Sequence, residues 1–282
     1  MDQSVTLKAL SSNRDDLELT LLLEAIYQHY GYDFRQYVRA SIRRRVWRRM
    51  LKEKLETISG LQERVLHDPA CMDRLLNDLT ISVTSMFRNP TAYIALRRKV
   101  VPLLRTYPFL RIWNAGCSTG EETYSLAILL REEGLADRVR IYATDINQAV
   151  LQRAKEGLFS LDRIGEYQQH YIRAGGRTPF SEYYNIEGNG ARFDPTLVEN
   201  VVFAQHNLVS DGSFNQFNFI VCRNVMIYFD SSLQDKVHDL FYRSLVRFGL
   251  LALGEDESIR FTRHADAYEE LDGQEKLYQR IA

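Results

Sequence analysis

The sequence predicts an α/β protein in which an N-terminal all-helical domain precedes a domain built on a parallel sheet. Three observations predict this class. The first hundred residues show helical patterns, the chain after Pro108 alternates short apolar runs with helical stretches, and 167–195 breaks into short β-prone pieces. Alternating strands and helices are typical of a parallel sheet with crossover helices. A chain of 282 residues with 45% apolar residues is long enough for two domains.

The expected domains follow from these patterns. They are a helical domain over 1–82, a linker and helix over 83–108, and a sheet domain over 109–282. In the helical part, Ser12 or Asn13 can cap a first helix that Gly31 is placed to end, and a second helix is predicted over 34–53. After an irregular stretch, Pro90 opens another helix.

The sheet domain is predicted element by element. Strands are expected at 110–116, 139–145, 201–205, 217–222 and 250–253, helices at 121–134, 147–156 and 231–248, and an edge strand at 275–281. In the stretch 167–195, the pieces HYIRA, SEYYNI and GARFD are joined by glycine turns. This predicts a small antiparallel insertion.

Composition excludes several function classes. A net charge of −1 argues against attraction of the whole molecule to nucleic acid or an anionic membrane. Three scattered cysteines suit neither a disulfide framework nor a metal site, so we expect no metal and a reduced, cytoplasmic location. The start of the chain lacks a signal-like segment, and no apolar run approaches the roughly 18 residues of a membrane span. We therefore expect no membrane insertion.

One segment is strongly basic. Residues 30–56 hold nine Lys or Arg against three Asp or Glu, and most lie in one predicted helix. Such a run is usually a solvated face, but it could also hold phosphates.

A glycine turn at 114–122, with the sequence NAGCSTGEE, follows one predicted strand and opens a helix. Glycines there let the backbone approach a ligand at the carboxyl edge of a sheet. Two acids at the helix start compete with an anion for the helix dipole, so the turn is a poor phosphate cradle. A zwitterionic ligand with a sulfonium and an amino group, such as S-adenosylmethionine, fits better. The alternative is an ordinary tight turn.

Asp145 ends the next predicted strand. An acid at that position typically holds ribose hydroxyls. The alternative is a cap for the helix that follows from Asn147.

Five segments together resemble the CheR family of chemoreceptor glutamate methyltransferases. They are SxTxMFR at 82–88, GCSTGEExYSLA at 116–127, ATDI at 143–146, HNL at 206–208 and CRNVMIYFD at 222–230. The resemblance covers nearly the whole chain in the right order. It implies a helical domain, a Rossmann-like class I S-adenosylmethionine methyltransferase domain with a small β insertion, and a monomer. The implied reaction esterifies glutamates on a chemoreceptor cytoplasmic domain and leaves S-adenosylhomocysteine.

The resemblance also implies roles for individual residues. Cofactor contacts are expected from Thr84, Arg88, Ala115, Gly116, Glu122, Asp145, Asn207, Leu208, Arg223 and Asn224. Arg88 and Tyr228 are expected beside the transferred methyl, and Arg45, Arg48 and Arg49 are expected to dock on the receptor. The chain departs from the family at Ser82, at Thr123 and at 254–257, so no contact is carried over from those places.

The chemistry agrees with these roles. A glutamate carboxylate is ionised near neutral pH, so no general base is needed and positioning is the main task. Arg88 can hold a carboxylate through paired hydrogen bonds, and Tyr228 can offer a hydroxyl. Alternatively, Arg88 forms a surface salt bridge and Tyr228 is a half-buried aromatic at a strand–helix junction. Signatures of DNA methylation are absent from the sequence, so no nucleic-acid partner is expected. The rival function is a receptor-associated module that binds S-adenosylmethionine with little or no methyl transfer.

Overall fold

The computed structural model describes residues 3–80 and 84–282, with the side chains of 3–12 left out. The boundary expected at 82–83 and the departure at Ser82 therefore lie outside the described residues. The chain divides into two compact units. One holds the described residues up to 80 together with Tyr228–Leu233, and the other holds the remaining residues from 84 onward.

The first unit is helical. Its helices are α1 (Gln3–Tyr30), α2 (Arg39–Lys52), α3 (Ile58–His67) and α4 (Pro69–Leu79). Gly31 adopts φ +77° and ends α1 as predicted, whereas α1 begins well before Asn13. The second helix begins at Arg39 rather than 34, because Val38 N donates to Tyr228 O at 2.9 Å and Tyr37 forms a bridge with Phe229, which leaves the preceding residues in a turn. The apolar stripes of the helices form one core with members such as Leu22.

The second unit is built on sheets. Its strands are β1 (Leu110–Ala115), β2 (Val139–Asp145), β3 (Leu158–Ser160), β4 (Tyr184–Glu187), β5 (Gly190–Phe193), β6 (Val201–Gln205), β7 (Phe217–Cys222), β8 (Leu245–Leu253), β9 (Tyr268–Asp272) and β10 (Leu277–Arg280). Its helices are α5 (Pro90–Ala95), which a π-helical turn joins to α6 (Val101–Leu104), then α7 (Glu121–Glu132), α8 (Gln148–Glu156) and α9 (Leu161–Arg173). The last helix, α10, covers Ser231–Ser244.

The main sheet has the strand order β6-β2-β1-β7-β8-β10-β9. The pairings from β6 to β8 are parallel, and β10 pairs antiparallel with both β8 and β9. Every residue of β7 is buried, as expected for a central strand covered on both faces. These features confirm the predicted fold class, a helical domain followed by a Rossmann-like α/β domain.

The small antiparallel insertion is confirmed as a sheet of order β3-β5-β4. One sequence prediction in this region and one in the main sheet were wrong. The piece HYIRA at 170–174 is not β-like, because it lies at the end of α9. Ile164, Tyr167 and Tyr171 follow a helical spacing there and are buried. The strand near the C-terminus is not at the edge either, since β9 lies outside β10.

No helix among the described residues combines the length and the apolar character that a membrane crossing needs.

Candidate functional site

The candidate site lies at the carboxyl edge of the main sheet. The parallel strands β2, β1 and β7 are neighbours, and their chains leave the sheet after Asp145, Ala115 and Cys222. Strands β2 and β7 lie on opposite sides of β1, so the strand order reverses at β1. Open α/β sheets bind ligands in the crevice outside such a reversal of strand order. Six of the ten predicted cofactor residues lie at the ends of these three strands or in the segments directly after them.

The glycine loop, residues 116–120, joins β1 to α7. Gly116 adopts φ +76°, and a Cβ on it would lie 2.5 Å from Val225 Cγ2. Its N–H and that of Cys117 both donate to Thr144 O, at 2.8 and 2.9 Å. Gly120 adopts φ +98°, and a Cβ there would lie 2.9 Å from Ala154 Cβ. Glycines at both ends therefore let the loop pack closely against Val225 and Ala154.

Asp145 ties this loop to β2. Its Oδ2 accepts from Ser118 N and its Oδ1 from Asn147 N, each at 2.9 Å. Helix α8 is capped by Asn147, whose side chain accepts from Ala149 N, so Asp145 is not the cap that the alternative interpretation required. A carboxylate offers about four acceptor positions, so Asp145 keeps capacity for further hydroxyl donors. Burial raises the pKa of Asp145, although the main-chain N–H groups oppose the shift.

Glu122 and Arg223 form a pair beside the same loop. Glu122 Oε1 lies 3.2 Å from Arg223 Nη1, and Glu122 Oε2 accepts from Asn114 Nδ2 at 2.8 Å. Burial alone would lower the pKa of Arg223, but the Glu122 carboxylate and the Tyr93 hydroxyl raise it, and the net shift is upward. The Glu122 carboxylate thus favours the charged form of Arg223 at the end of β7.

Arg88 lies in a short segment that follows the undescribed residues. Arg223 Nη1 donates to Arg88 O at 3.2 Å, and Phe87 N donates to Ser125 Oγ at 2.9 Å. Phe87 and Asn89, on either side of Arg88, both have positive φ, at 51° and 56°. Such backbone is uncommon outside glycine and persists where surrounding contacts impose it. The structure therefore fixes the main chain of Arg88 beside the Glu122–Arg223 pair.

Helix α9 holds the same segment from the other side. Arg163 Nη2 donates to Thr84 O at 2.7 Å, and Ser85 Oγ donates to Glu166 Oε1 at 2.5 Å. Arg163 also pairs with Glu121 at 3.3 Å. Sequence reasoning missed this helix, although its buried residues show the spacing that would have indicated it. The position of Thr84 depends on α9.

The pair Asn207 and Leu208 follows β6. His206 N donates to Asp145 O at 3.1 Å, which joins this turn to the end of β2. Asn207 is buried, its N–H donates to Asp211 Oδ2 at 2.8 Å, and its Oδ1 accepts from Val209 N at 3.0 Å. The structure thus brings the turn after β6 to the predicted edge, next to Asp145.

Sequence reasoning missed Glu257, which follows β8. This carboxylate is 5% exposed and accepts from main-chain N–H groups of the turn after β7, including that of Asn224 at 3.0 Å. The acid-rich run at 254–257 directly after a predicted strand was the signal available in the sequence.

Tyr228 belongs to the helical unit. It is half-buried, and the Arg45 guanidinium carbon lies 4.9 Å from the centre of its ring. Its main-chain oxygen accepts from Val38 N. The described contacts show a packed aromatic, and a role beside a transferred methyl stays a prediction.

The three arginines expected to dock on a receptor do not share one environment. Arg45 is 3% exposed and donates to Leu79 O, and Arg49 is 8% exposed and pairs with Asp78 at 2.6 Å. Both side chains are buried in the helical unit, which argues against direct contact with a partner, and their docking role stays a prediction. Burial lowers the pKa of Arg45. Only Arg48 of the three is exposed.

Comparison with known proteins gives two family matches. Residues 82–277 match the family described as CheR methyltransferase, SAM binding domain, and residues 17–80 match CheR methyltransferase, all-alpha domain. The chain is 48% identical over 270 residues to "Putative methyltransferase Cher3" of Pseudomonas putida, across 96% of this chain and 99% of that one. It is 31% identical over 248 residues to a chemotaxis protein methyltransferase of Listeria monocytogenes, across 86% and 92%. The corresponding protein of Salmonella typhimurium is 28% identical over 254 residues, across 86% and 84%.

Proposed function

Because the chain belongs to the CheR methyltransferase family, we propose that it transfers a methyl group from S-adenosylmethionine to glutamate side chains of a bacterial chemoreceptor. One observation carries the proposal: two carboxylates, those of Asp145 and Glu122, lie beside the glycine loop at one edge of the sheet. Carboxylates accept hydrogen bonds from hydroxyl and ammonium groups and repel phosphate.

The polar groups at this edge of the sheet fit S-adenosylmethionine. Asp145 offers acceptors to ribose hydroxyls, and Glu122 offers acceptors to the amino group. Ser118 Oγ is buried in the same loop, and no described residue gives it a hydrogen-bond partner, so it can bind a polar group of a ligand. Buried polar atoms are usually paired, which makes an orphaned hydroxyl a sign of an occupied site. Asn207 and Asn224 complete the set in this proposal.

Binding and orientation are the work left to the chain. S-adenosylmethionine supplies a methyl group activated by a sulfonium, and the glutamate acceptor is already ionised, so no residue has to remove a proton. We assign Arg88 to hold a carboxylate, because its main chain is fixed at the site and a guanidinium binds carboxylates in a paired geometry. Tyr228 keeps its proposed positioning role beside the acceptor.

For receptor docking, we propose the exposed face of α2 in place of the buried Arg45 and Arg49. Arg44, Trp47, Arg48 and Leu51 are all exposed and follow the spacing of one helical stripe. Trp47 is 42% exposed and Leu51 is 65% exposed. Exposed apolar groups flanked by arginines suit a partner helix with acidic and apolar positions. We propose this stripe, residues 44, 47, 48 and 51, as the contact with the receptor cytoplasmic domain.

The test is methylation of a receptor cytoplasmic fragment by the full chain. The fragment should gain the mass of a methyl group, and mild alkali should erase the gain because esters hydrolyse. A chain that binds S-adenosylhomocysteine and the fragment without any mass gain would instead be the receptor-associated module.

A further inference from the structure

The carboxylate of Glu257 lies at the centre of a main-chain cage. Its Oε1 accepts from Val225 N at 2.8 Å and from Met226 N at 2.7 Å. Its Oε2 accepts from Asn224 N at 3.0 Å and from Gly254 N at 2.6 Å. Four N–H donors from two loops thus point at one side chain.

Burial and bonding show that this arrangement is built. A buried carboxylate is costly unless hydrogen bonds satisfy it, and bonds to an ionised acceptor are about twice as strong as neutral ones. Burial raises the pKa of Glu257, while the four N–H groups oppose the shift. A Cβ on Gly254 would lie 2.7 Å from Asn224 N and 2.8 Å from Glu257 Oε2, so a larger residue there would push the two loops apart.

The cage determines the shape of the turn after β7. Asn224 adopts φ +60°, a backbone region that a non-glycine residue rarely holds without support. Val225 packs on the glycine loop, since a Cβ on Gly116 would lie 2.5 Å from its Cγ2. Glu257 therefore connects the loop after β8, through the turn after β7, to the loop after β1.

We propose that Glu257 is a positioning residue of the cofactor pocket. It holds Asn224 and Val225 in place and, through Val225, sets how closely the glycine loop approaches a ligand. The inference rests on the proposed function in taking this sheet edge as the pocket for S-adenosylmethionine.

The variant Glu257→Gln tests the inference. The amide group replaces one acceptor oxygen and faces two N–H donors wherever it points, so the turn has to move. The dissociation constant of S-adenosylhomocysteine, measured by calorimetry, should rise at least tenfold, while the Michaelis constant for a receptor fragment should change little. The matched control is Asp256→Asn, which removes an equal charge from an exposed neighbour and should leave both constants unchanged.

An effect on folding is distinguished from an effect on positioning by measuring S-adenosylhomocysteine affinity well below the melting temperature of the variant. The affinity is expressed per folded molecule. A lower melting temperature with unchanged affinity would overturn the inference. If Glu257→Gln is not recovered folded, Glu257→Asp takes its place, and its shortened carboxylate should still weaken cofactor binding. Wild-type affinity in Glu257→Asp would overturn the inference about Glu257 but not the proposed function. If the wild-type chain itself did not bind S-adenosylhomocysteine, the proposed function would be overturned as well.

Discussion

Asp145 Oδ2 accepts a hydrogen bond from the main-chain N–H of Ser118 at 2.9 Å. The bond joins the end of β2 to the glycine loop that follows β1. The side chain proposed to hold the ribose therefore also holds the loop on which the rest of the cofactor would lie. Loss of this carboxylate should weaken cofactor binding in two ways, because an acceptor for the ribose is missing and because the glycine loop is no longer held in place.

We expect Asp145→Ala to weaken S-adenosylhomocysteine binding by roughly 1.5–3 kcal/mol, because ribose hydroxyls lose an ionised acceptor. Calorimetry measures the loss directly. The matched control is Asn147→Ala, which removes the cap of α8 and should cost about 1 kcal/mol of stability while leaving the affinity unchanged. Unchanged affinity in Asp145→Ala would remove this residue from the site.

For Tyr228→Phe we expect methylation to slow on the order of tenfold to a hundredfold, since a lost positioning hydroxyl misplaces the acceptor. The ring that packs under Arg45 is retained, so the melting temperature and cofactor affinity should stay near wild type. Steady-state rates with saturating receptor fragment measure the effect. A wild-type rate would show that Tyr228 is only a packed aromatic.

Charge reversal of Arg44 and Arg48 together should raise the Michaelis constant for receptor without changing cofactor affinity. Salt should mimic the change, because screening shortens to about 3 Å at 1 M ionic strength, and the reversed variant should respond to salt much less than wild type. Reversal of the exposed Arg153 and Lys155 on α8 is the control for net charge. Equal effects from both pairs would leave the α2 stripe without a docking role.

Reversal of Arg49 should give a different result. Arg49 is buried and paired with Asp78 and Glu53, so Arg49→Glu places a third acid beside these two inside the helical unit. Breaking a buried ion pair costs about 3–5 kcal/mol of stability. The melting temperature of the variant should therefore fall, and any loss of receptor affinity should accompany that fall. A stable variant with weakened receptor binding would restore the original docking role of Arg49.

His238 should make the protein less stable in mild acid. Burial lowers its pKa to about 4, from an ordinary value of 6.5, because the side chain is 2% exposed. The unfolded state takes up the proton first, so stability that is complete above pH 6.5 is lost as the pH falls towards 4. The loss between pH 7 and pH 5 is about 2 kcal/mol.

Urea denaturation of wild type and His238→Asn at both pH values checks this. The variant should lose less stability than wild type over that interval, by about the same 2 kcal/mol. The comparison is needed because the raised pKa values of Asp145 and Glu257 act in the opposite direction. Equal losses in both proteins would show that His238 does not cause the acid sensitivity.

Much of the fold could be predicted because local patterns determine it. The bounds of β6 and β7 match the predicted strands, and the resemblance to the CheR family is confirmed. The glycine loop and Asp145 could be predicted as neighbours because carboxyl ends of adjacent parallel strands meet at one edge.

Other features depend on contacts that a sequence pattern does not contain. The basic run does not by itself show which arginines turn inward, yet Arg45 and Arg49 flank the buried stripe of Ile42 and Val46. Three of the N–H groups that Glu257 meets are more than 30 positions away, so the acid-rich run at 254–257 does not show what this carboxylate contacts. The early start of α2 was predicted because Tyr37 fits the apolar spacing of Ile42 and Val46, whereas the bridge between Tyr37 and Phe229 keeps this residue out of the helix.

The most direct test of the central claim is transfer of a labelled methyl group from S-adenosylmethionine to a receptor cytoplasmic fragment. Its matched partner is the same fragment with the accepting glutamates replaced by glutamine. We expect alkali-labile label on the first fragment and none on the second, with Asp145→Ala reducing transfer at limiting cofactor. Label that resists alkali, or equal label on both fragments, would contradict glutamate esterification.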